Sequence, residues 1–204
     1  MDANGFRLLP EHLDFAAQRA LTDAVMSAAR FYRPVTPGGR PMSVEMTNFG
    51  PLGWVSDARG YRYEPRHPIT GDLWPPIPQT LIELWTTLTG LDVPPDACLA
   101  NLYRTGARMG LHQDRDEADF SAPVLSVSLG DTAIFRLGGP RRADPSRSMR
   151  LASGDVCLLT GSARLAFHGV DRTIPGSSRL LPGGGRLNLT LRRARPLNER
   201  SPTP

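Results

Sequence analysis

The sequence predicts a mainly β (α+β) fold, in which an antiparallel sandwich or barrel follows two helices. Two segments in the first half repeat apolar residues at helical spacing, and a stretch rich in proline and glycine lies between them. After residue 96, six short β-like segments follow one another with no helical pattern between them. The length of 204 residues suits a single domain, 1–204, with one sizeable core.

The first helix is predicted from Leu13 to Tyr32, where Pro34 ends it. One face carries apolar residues at helical spacing, namely Leu13, Ala17, Leu21, Val25, Ala28 and Tyr32. The second helix is predicted to begin near Pro78, a favourable first-turn residue, and to end at Gly90. Its apolar face consists of Leu81, Leu84, Trp85 and Leu88.

The stretch from Arg33 to Pro78 separates the two helices. Its proline and glycine content predicts short strands joined by exposed turns, an arrangement suited to a lid. The later strands are predicted at Cys98–Tyr103, Val124–Leu129, Ala133–Leu137, Val156–Leu159, Leu165–His168 and Arg186–Arg192. Residues 196–204 are predicted to form a flexible tail.

Composition excludes some classes of protein and leaves others open. The sequence has no apolar run near the eighteen residues of a membrane span, so we expect no membrane insertion. The first ten residues lack the pattern of a signal peptide, and we expect a cytoplasmic protein in which Cys98 and Cys157 are reduced core residues. The net charge of +4, carried by arginine without lysine, is compatible with a nucleic-acid partner but too small to demonstrate one.

Two histidines and one aspartate form a candidate metal site. His112 and Asp114 are two residues apart, on one side of an extended segment, and His168 follows later in the chain. Two imidazoles and one carboxylate can hold one metal ion and leave coordination positions open. His112 taken alone could equally be a hydrogen-bonded surface residue, and the same set could serve a zinc hydrolase.

The strand Arg186–Arg192 supplies a candidate ligand-binding face. Its period of two places Arg186, Asn188, Thr190 and Arg192 on one face and three leucines on the other. An edge strand with its polar face in water would show the same alternation. A 2-oxo acid bound to the metal would need donors for two carboxylates, a role that suits both arginines, with Asn101, Tyr103 and Asn188 as neutral donors.

Together these motifs resemble the AlkB-type iron(II)- and 2-oxoglutarate-dependent dioxygenases that repair alkylated nucleic acids, and the bacterial members most closely. The resemblance covers about Thr36 to Arg192. The matching segments are Thr36-Pro37-Gly38-Gly39, Met46-Thr47-Asn48, Gly53-Trp54, Asn101-Leu102-Tyr103, Leu111-His112-Gln113-Asp114-Arg115-Asp116-Glu117, Ser126-Val127-Ser128-Leu129-Gly130, Phe167-His168-Gly169 and Arg186-Leu187-Asn188-Leu189-Thr190-Leu191-Arg192.

The resemblance implies a double-stranded β-helix, or jelly-roll, core over residues 95–195. Residues 13–92 would form the flanking helices and a nucleotide-recognition lid. The implied cofactors are iron(II), 2-oxoglutarate and dioxygen. The matching iron ligands are His112, Asp114 and His168, and the matching 2-oxoglutarate contacts are Arg186, Arg192, Asn188, Asn101 and Tyr103.

For the substrate, the resemblance implies an alkylated nucleobase flipped out of single-stranded DNA. Trp54 and Tyr61 would lie in the lid with Thr36 nearby, Trp54 and His112 would flank the base, Asp116 would face it, and Arg164 would lie near the substrate. From the residues alone, the two aromatics could instead only pack the lid, and Asp116 could be a solvated charge. The expected reaction demethylates 1-methyladenine or 3-methylcytosine and releases succinate, carbon dioxide and formaldehyde. Duplex DNA or RNA are alternative substrates, and a non-catalytic nucleic-acid-binding jelly-roll is an alternative function. We expect a monomer.

Overall fold

The computed structural model of the chain describes residues 2–198, so the predicted tail lies outside the described residues from 199 onward. The chain forms, in order, β1 (Asp2–Ala3), β2 (Phe6–Leu9), α1 (Phe15–Ala28), β3 (Glu45–Phe49), β4 (Gly53–Asp57), β5 (Gly60–Glu64), α2 (Gln79–Thr89), β6 (Ala97–Tyr103), β7 (Met109–His112), β8 (Val124–Gly130), β9 (Ala133–Leu137), β10 (Arg147–Leu151), β11 (Val156–Leu159), β12 (His168–Thr173) and β13 (Arg186–Arg192). A short 3-10 turn at Gly161–Ala163 precedes β12.

Both predicted helices are present, and their ends have local causes. The Asp14 carboxylate caps α1 by accepting from the Ala17 amide at 2.8 Å. This helix ends four residues earlier than predicted, because Ala29 is extended and Tyr32 instead pairs with Met46 in an isolated β-bridge. Gly90 ends α2 with a φ of 70°, the left-handed conformation that glycine adopts without strain.

The strands form two antiparallel sheets and one separate hairpin. The larger sheet has seven strands in the order β1-β2-β11-β8-β13-β6-β3, and the smaller has four in the order β10-β9-β12-β7. Strands β4 and β5 form a hairpin of their own. This crossed strand order in two facing sheets confirms the predicted mainly β, jelly-roll fold.

Burial on the two faces of β13 explains where the site lies. The leucines of β13 pack in one apolar cluster with Leu21 and Val25 of α1 and with Leu81 and Trp85 of α2. Because side chains alternate along a strand, the polar residues of β13 point away from the helices, into the space between the sheets. The facing four-stranded sheet contributes Phe135, Leu137 and Val170 to a second apolar cluster.

Some strand predictions need correction. The predicted strand Leu165–His168 is wrong: the chain turns at Gly161–Ala163, and β12 begins only at His168. Strands β2 and β10 were not predicted, and β3, from the stretch assigned to the lid, joins the seven-stranded sheet.

Two predictions from composition can be compared with the structure. Cys98 and Cys157 are free and buried, as predicted. Among residues 2–198, no helix is long and apolar enough to cross a membrane.

Candidate active site

The three predicted metal ligands come together where β7 meets β12. The antiparallel register places His112 directly opposite His168, and their ring centroids are 4.5 Å apart. Asp114 follows β7 by two residues, so its carboxylate turns back toward both imidazoles. One ligand atom from each of the three side chains lies within 4.8 Å of the others.

Backbone carbonyls fix the orientation of both imidazole rings. The Nδ1 atom of His112 lies 3.0 Å from the Gly110 carbonyl, and that of His168 lies 2.9 Å from the Ala166 carbonyl. A proton on each Nδ1 donates to the carbonyl and leaves the Nε2 lone pair free for a metal. Burial and the neighbouring His112 lower the pKa of His168 to about 4, which keeps its ring neutral near pH 7.

Asp114 is a buried carboxylate in which one oxygen is hydrogen-bonded and the other is available to bind a metal. Its Oδ1 accepts from Arg192 Nη2 at 2.8 Å, whereas Oδ2 is buried and has no hydrogen-bond partner among residues 2–198. Burial raises the pKa of Asp114, but Arg192 and the two imidazoles outweigh burial and hold it well below its usual range. An ionised carboxylate with an open oxygen, beside two free imidazole nitrogens, fits iron(II) with open coordination positions.

The five residues expected to bind 2-oxoglutarate line one cavity with the metal ligands. Strand β13 lies between β6 and β8, and its register pairs Arg186 with Tyr103 and Asn188 with Asn101. The fifth residue, Arg192, lies beside Asp114 at the end of the same strand. The alternative of a solvent-facing edge strand is wrong, since β13 is paired on both sides.

Arg186 is a buried cation without a carboxylate partner in the described part of the chain. It is 1% exposed and donates to Ser128 Oγ at 2.8 Å and to the Leu151 carbonyl at 3.3 Å. Its Nε is buried and finds no hydrogen-bond partner in the part of the chain that the structure describes, and burial lowers the pKa of its guanidinium. A buried charge is costly without a partner, so a ligand carboxylate fits this position.

Two neutral groups beside Arg186 suit the same ligand. Burial raises the pKa of Tyr103 to about 12, so its hydroxyl stays protonated and can donate. Asn101 lines the same cavity, and its side-chain amide nitrogen is a neutral donor that suits a carboxylate. With Arg186, these groups can bind a dicarboxylic acid that also reaches the metal.

The lid hairpin β4–β5 closes the other end of the cavity, whose volume is about 480 Å³. Trp54 on β4 and Tyr61 on β5 stack with ring centroids 5.4 Å apart and planes 16° from parallel. The indole nitrogen of Trp54 donates to Asp116 Oδ2 at 2.7 Å. The structure therefore brings Trp54, Tyr61 and Asp116 together with the metal ligands around one cavity.

Thr36 and Arg164 do not line this cavity. The Thr36 hydroxyl accepts from the Arg40 amide at 3.2 Å, within a turn before β3. Arg164 is 3% exposed and donates to the carbonyls of Asp114 and Ala122 at 2.6 and 2.8 Å. It therefore supports the backbone of a metal ligand from behind, and does not face the substrate space.

Sequence reasoning missed two residues of the site, Arg142 and Glu117. Arg142 is exposed at the cavity wall, where it donates to the Leu111 carbonyl at 2.9 and 3.0 Å and lies 5.5 Å from the Phe167 ring centroid. In sequence, nothing separates it from the other arginines. Glu117 is buried, and its place in the His112–Glu117 motif was an available signal.

Comparisons with known proteins agree with this geometry. The family model described as "2OG-Fe(II) oxygenase superfamily" matches residues 5–192. The chain is 66% identical over 194 residues to the alpha-ketoglutarate-dependent dioxygenase AlkB homolog of Caulobacter vibrioides, covering 94% of this chain and 88% of that one. It is 44% identical over 185 residues to the alpha-ketoglutarate-dependent dioxygenase AlkB of Escherichia coli, and the match covers 88% of this chain and 85% of that one. The solved structure of OsALKBH1 superposes with a TM-score of 0.80 at 31% sequence identity, and the match covers 94% of this chain and 99% of that one.

Proposed function

Because the chain belongs to the AlkB-type members of the 2OG-Fe(II) oxygenase superfamily, it is an iron(II)- and 2-oxoglutarate-dependent dioxygenase, and we propose that it demethylates alkylated nucleobases in DNA. The proposed lesions are 1-methyladenine and 3-methylcytosine, with single strands preferred. Membership of this family decides against the zinc hydrolase and the non-catalytic module.

One observation carries the proposal: the metal ligands and the Trp54–Asp116 pair share a single cavity. A base held against Trp54 would lie in the same cavity as His112 and Asp114. Stacking of a base on an aromatic ring contributes about 1–3 kcal/mol, which offsets part of the cost of flipping the base out. Flipping costs least from a single strand, which supports the strand preference.

Asp116 gives a reason to favour these lesions over unmodified bases. A methyl group on the pairing edge of adenine or cytosine leaves the base cationic, and a nearby carboxylate stabilises that charge. Trp54 occupies only Oδ2 of Asp116, so Oδ1 can accept from an exocyclic amine of the base. An unmodified base is neutral and gains only the hydrogen bond.

Dioxygen is the oxidant, and a bound iron(II) would activate it, so that oxidative decarboxylation of 2-oxoglutarate to succinate and carbon dioxide is coupled to hydroxylation of the N-methyl group. The resulting hydroxymethyl leaves as formaldehyde and restores the base. Residues of the chain hold the reactants: Arg186 and Tyr103 bind the distal carboxylate of 2-oxoglutarate, and Arg192 orients the end nearest Asp114. The lid hairpin limits access of water to the cavity.

The test is to incubate the protein with iron(II), ascorbate, air and a single-stranded oligonucleotide that carries one 3-methylcytosine, with and without 2-oxoglutarate. Mass spectrometry should show loss of one methyl group only when 2-oxoglutarate is present. The same lesion in duplex DNA should react more slowly, and an RNA strand of the same sequence tests the alternative substrate. Conversion of 2-oxoglutarate to succinate without loss of methyl from any strand would overturn the proposed substrate.

A further inference from the structure

Glu117 is a buried carboxylate that the reaction described above does not use. Its side chain is 2% exposed and contacts three groups from different parts of the chain. Tyr63 of the lid donates its hydroxyl to Glu117 Oε1 at 2.6 Å, and Arg164 Nη2 lies 3.1 Å from Oε2. Arg192 Nε lies 3.4 Å from Oε1, so this carboxylate joins the lid to the 2-oxoglutarate end of the cavity.

On the lid side, Tyr63 is placed to hold Trp54. The two residues lie directly opposite each other in the β4–β5 hairpin, so their side chains share one face. Burial raises the pKa of Tyr63 well above its usual value, which keeps the phenol protonated and able to donate to Glu117. The hairpin is thus tied to the segment after Asp114 by two bonds, Trp54 to Asp116 at the surface and Tyr63 to Glu117 inside.

On the core side, Arg192 lies between two carboxylates, Asp114 and Glu117. Without metal, these two carboxylates balance the charges of Arg192 and of the neighbouring buried Arg164. If Asp114 shared its charge with a bound iron(II), Glu117 would be the remaining counter-charge for both arginines until a carboxylate of 2-oxoglutarate reached Arg192. A buried guanidinium that loses its counter-charge shifts toward another anion or toward water.

We propose that Glu117 is a positioning residue that fixes Arg192 for 2-oxoglutarate and anchors the lid through Tyr63. The lid position and the orientation of Arg192 then depend on the same carboxylate. The inference rests on the iron(II)- and 2-oxoglutarate-dependent activity of the family, and it does not depend on which nucleobase is the substrate. Its test therefore stands apart from the demethylation assay.

The test uses Glu117→Gln, Glu117→Asp and Tyr63→Phe in protein loaded with Mn(II) without oxygen, so that no turnover occurs. Calorimetry measures 2-oxoglutarate binding, and amide hydrogen exchange measures protection of residues 53–64. Glu117→Gln should weaken 2-oxoglutarate binding about tenfold or more, as expected for loss of a buried charge that pairs with Arg192, and should speed exchange in the hairpin. Tyr63→Phe should speed exchange but change the 2-oxoglutarate affinity less than about threefold.

Glu117→Asp separates the two roles, because the retained charge still attracts Arg192 over a longer distance, whereas the hydrogen bond from Tyr63 to the same oxygen is lost when the side chain is shortened. It should recover most of the 2-oxoglutarate affinity and leave the hairpin poorly protected, and it replaces Glu117→Gln if that variant does not fold. Tyr32→Phe is the matched control for Tyr63, since the Tyr32 hydroxyl is buried without a hydrogen-bond partner among the described residues. Glu45→Gln, which alters only an exposed pair with Arg33, is the control for charge.

The inference is overturned if Glu117→Gln, or Glu117→Asp in its place, binds 2-oxoglutarate like the wild type and leaves the hairpin protected. Equal hairpin exchange in Tyr63→Phe and Tyr32→Phe would also overturn it, because general loosening would then account for the effect.

Discussion

The two ends of the cavity are supported in different ways. At the 2-oxoglutarate end, the binding side chains stand on β6 and β13, which are paired on both sides within the seven-stranded sheet. At the lid end, Trp54 and Tyr61 stand on a two-stranded hairpin outside both large sheets. Arg186 is 1% exposed, whereas Tyr61 is 49% exposed. The residues proposed to hold the metal and 2-oxoglutarate thus stand on strands paired within large sheets, whereas the proposed substrate contacts stand on a separate hairpin that can adapt.

The largest effect is expected from Asp114→Ala, which removes a metal ligand at the junction of the two ends. Turnover of 2-oxoglutarate should fall below detection, and Mn(II) should no longer bind at the site in calorimetry. Asp171→Ala is the control, because Asp171 is an exposed aspartate of β12 whose ion pair with Arg136 spans 3.7 Å. Full activity of the Asp114 variant would remove the metal assignment.

Arg186→Met tests the 2-oxoglutarate end of the cavity without altering the lid end. The KM for 2-oxoglutarate should rise about 100-fold, since a charged bidentate donor is lost. The ligand-free variant should nevertheless gain about 1–2 kcal/mol in free energy of unfolding, because methionine replaces a buried cation that lacks a carboxylate partner. Urea unfolding and steady-state kinetics measure the two effects, and a less stable variant with an unchanged KM would contradict both.

Trp54→Ala tests the lid end. The affinity for a single-stranded oligonucleotide carrying 3-methylcytosine should fall about tenfold, the effect of losing one base stack of 1–3 kcal/mol. Binding of 2-oxoglutarate should stay the same, since Trp54 contacts none of the residues on β6 and β13 by hydrogen bond or ring stacking. Fluorescence anisotropy and calorimetry give the two affinities, and equal losses in both would show that the ends are not separate.

Tyr61→Ala should have the smallest effect. Tyr61 supports Trp54 through one aromatic pair, worth about 0.5–1.5 kcal/mol, so oligonucleotide affinity should fall about threefold. The same anisotropy titration measures it. If Tyr61→Ala lowered the oligonucleotide affinity more than Trp54→Ala does, Tyr61 and not Trp54 would be the main residue that stacks on the base.

The same contrast explains what could be predicted from the sequence. The polar face of β13 was predictable because side chains alternate between the two faces of a strand. The metal site was predictable because two of its three ligands, His112 and Asp114, lie two residues apart in the sequence. Strand β10 was not predictable from its residues, since Arg147–Leu151 carries two arginines and only two apolar residues. It forms because β9 offers it a complementary edge.

Contacts between distant residues were the other limit. Arg164 was expected near the substrate, yet it donates to the backbone of Asp114 and Ala122, fifty and forty-two residues away. Glu117 and Tyr63 are fifty-four residues apart, and no local pattern marks them as partners. Such roles depend on how the turns bring segments together, which composition and periodicity do not encode.

The register of His112 opposite His168 has a consequence for the lifetime of the protein. Strand β7 is at the edge of the four-stranded sheet and, among the described strands, pairs only with β12, along a ladder whose register shifts between His168 and Val170. A metal ion bound by one histidine from each strand would cross-link β7 to β12 at this edge of the sheet. Fraying, proteolysis and unwanted strand pairing begin at sheet edges that lack such a cross-link. We therefore expect loss of the metal to shorten the lifetime of the folded enzyme as well as to stop its turnover.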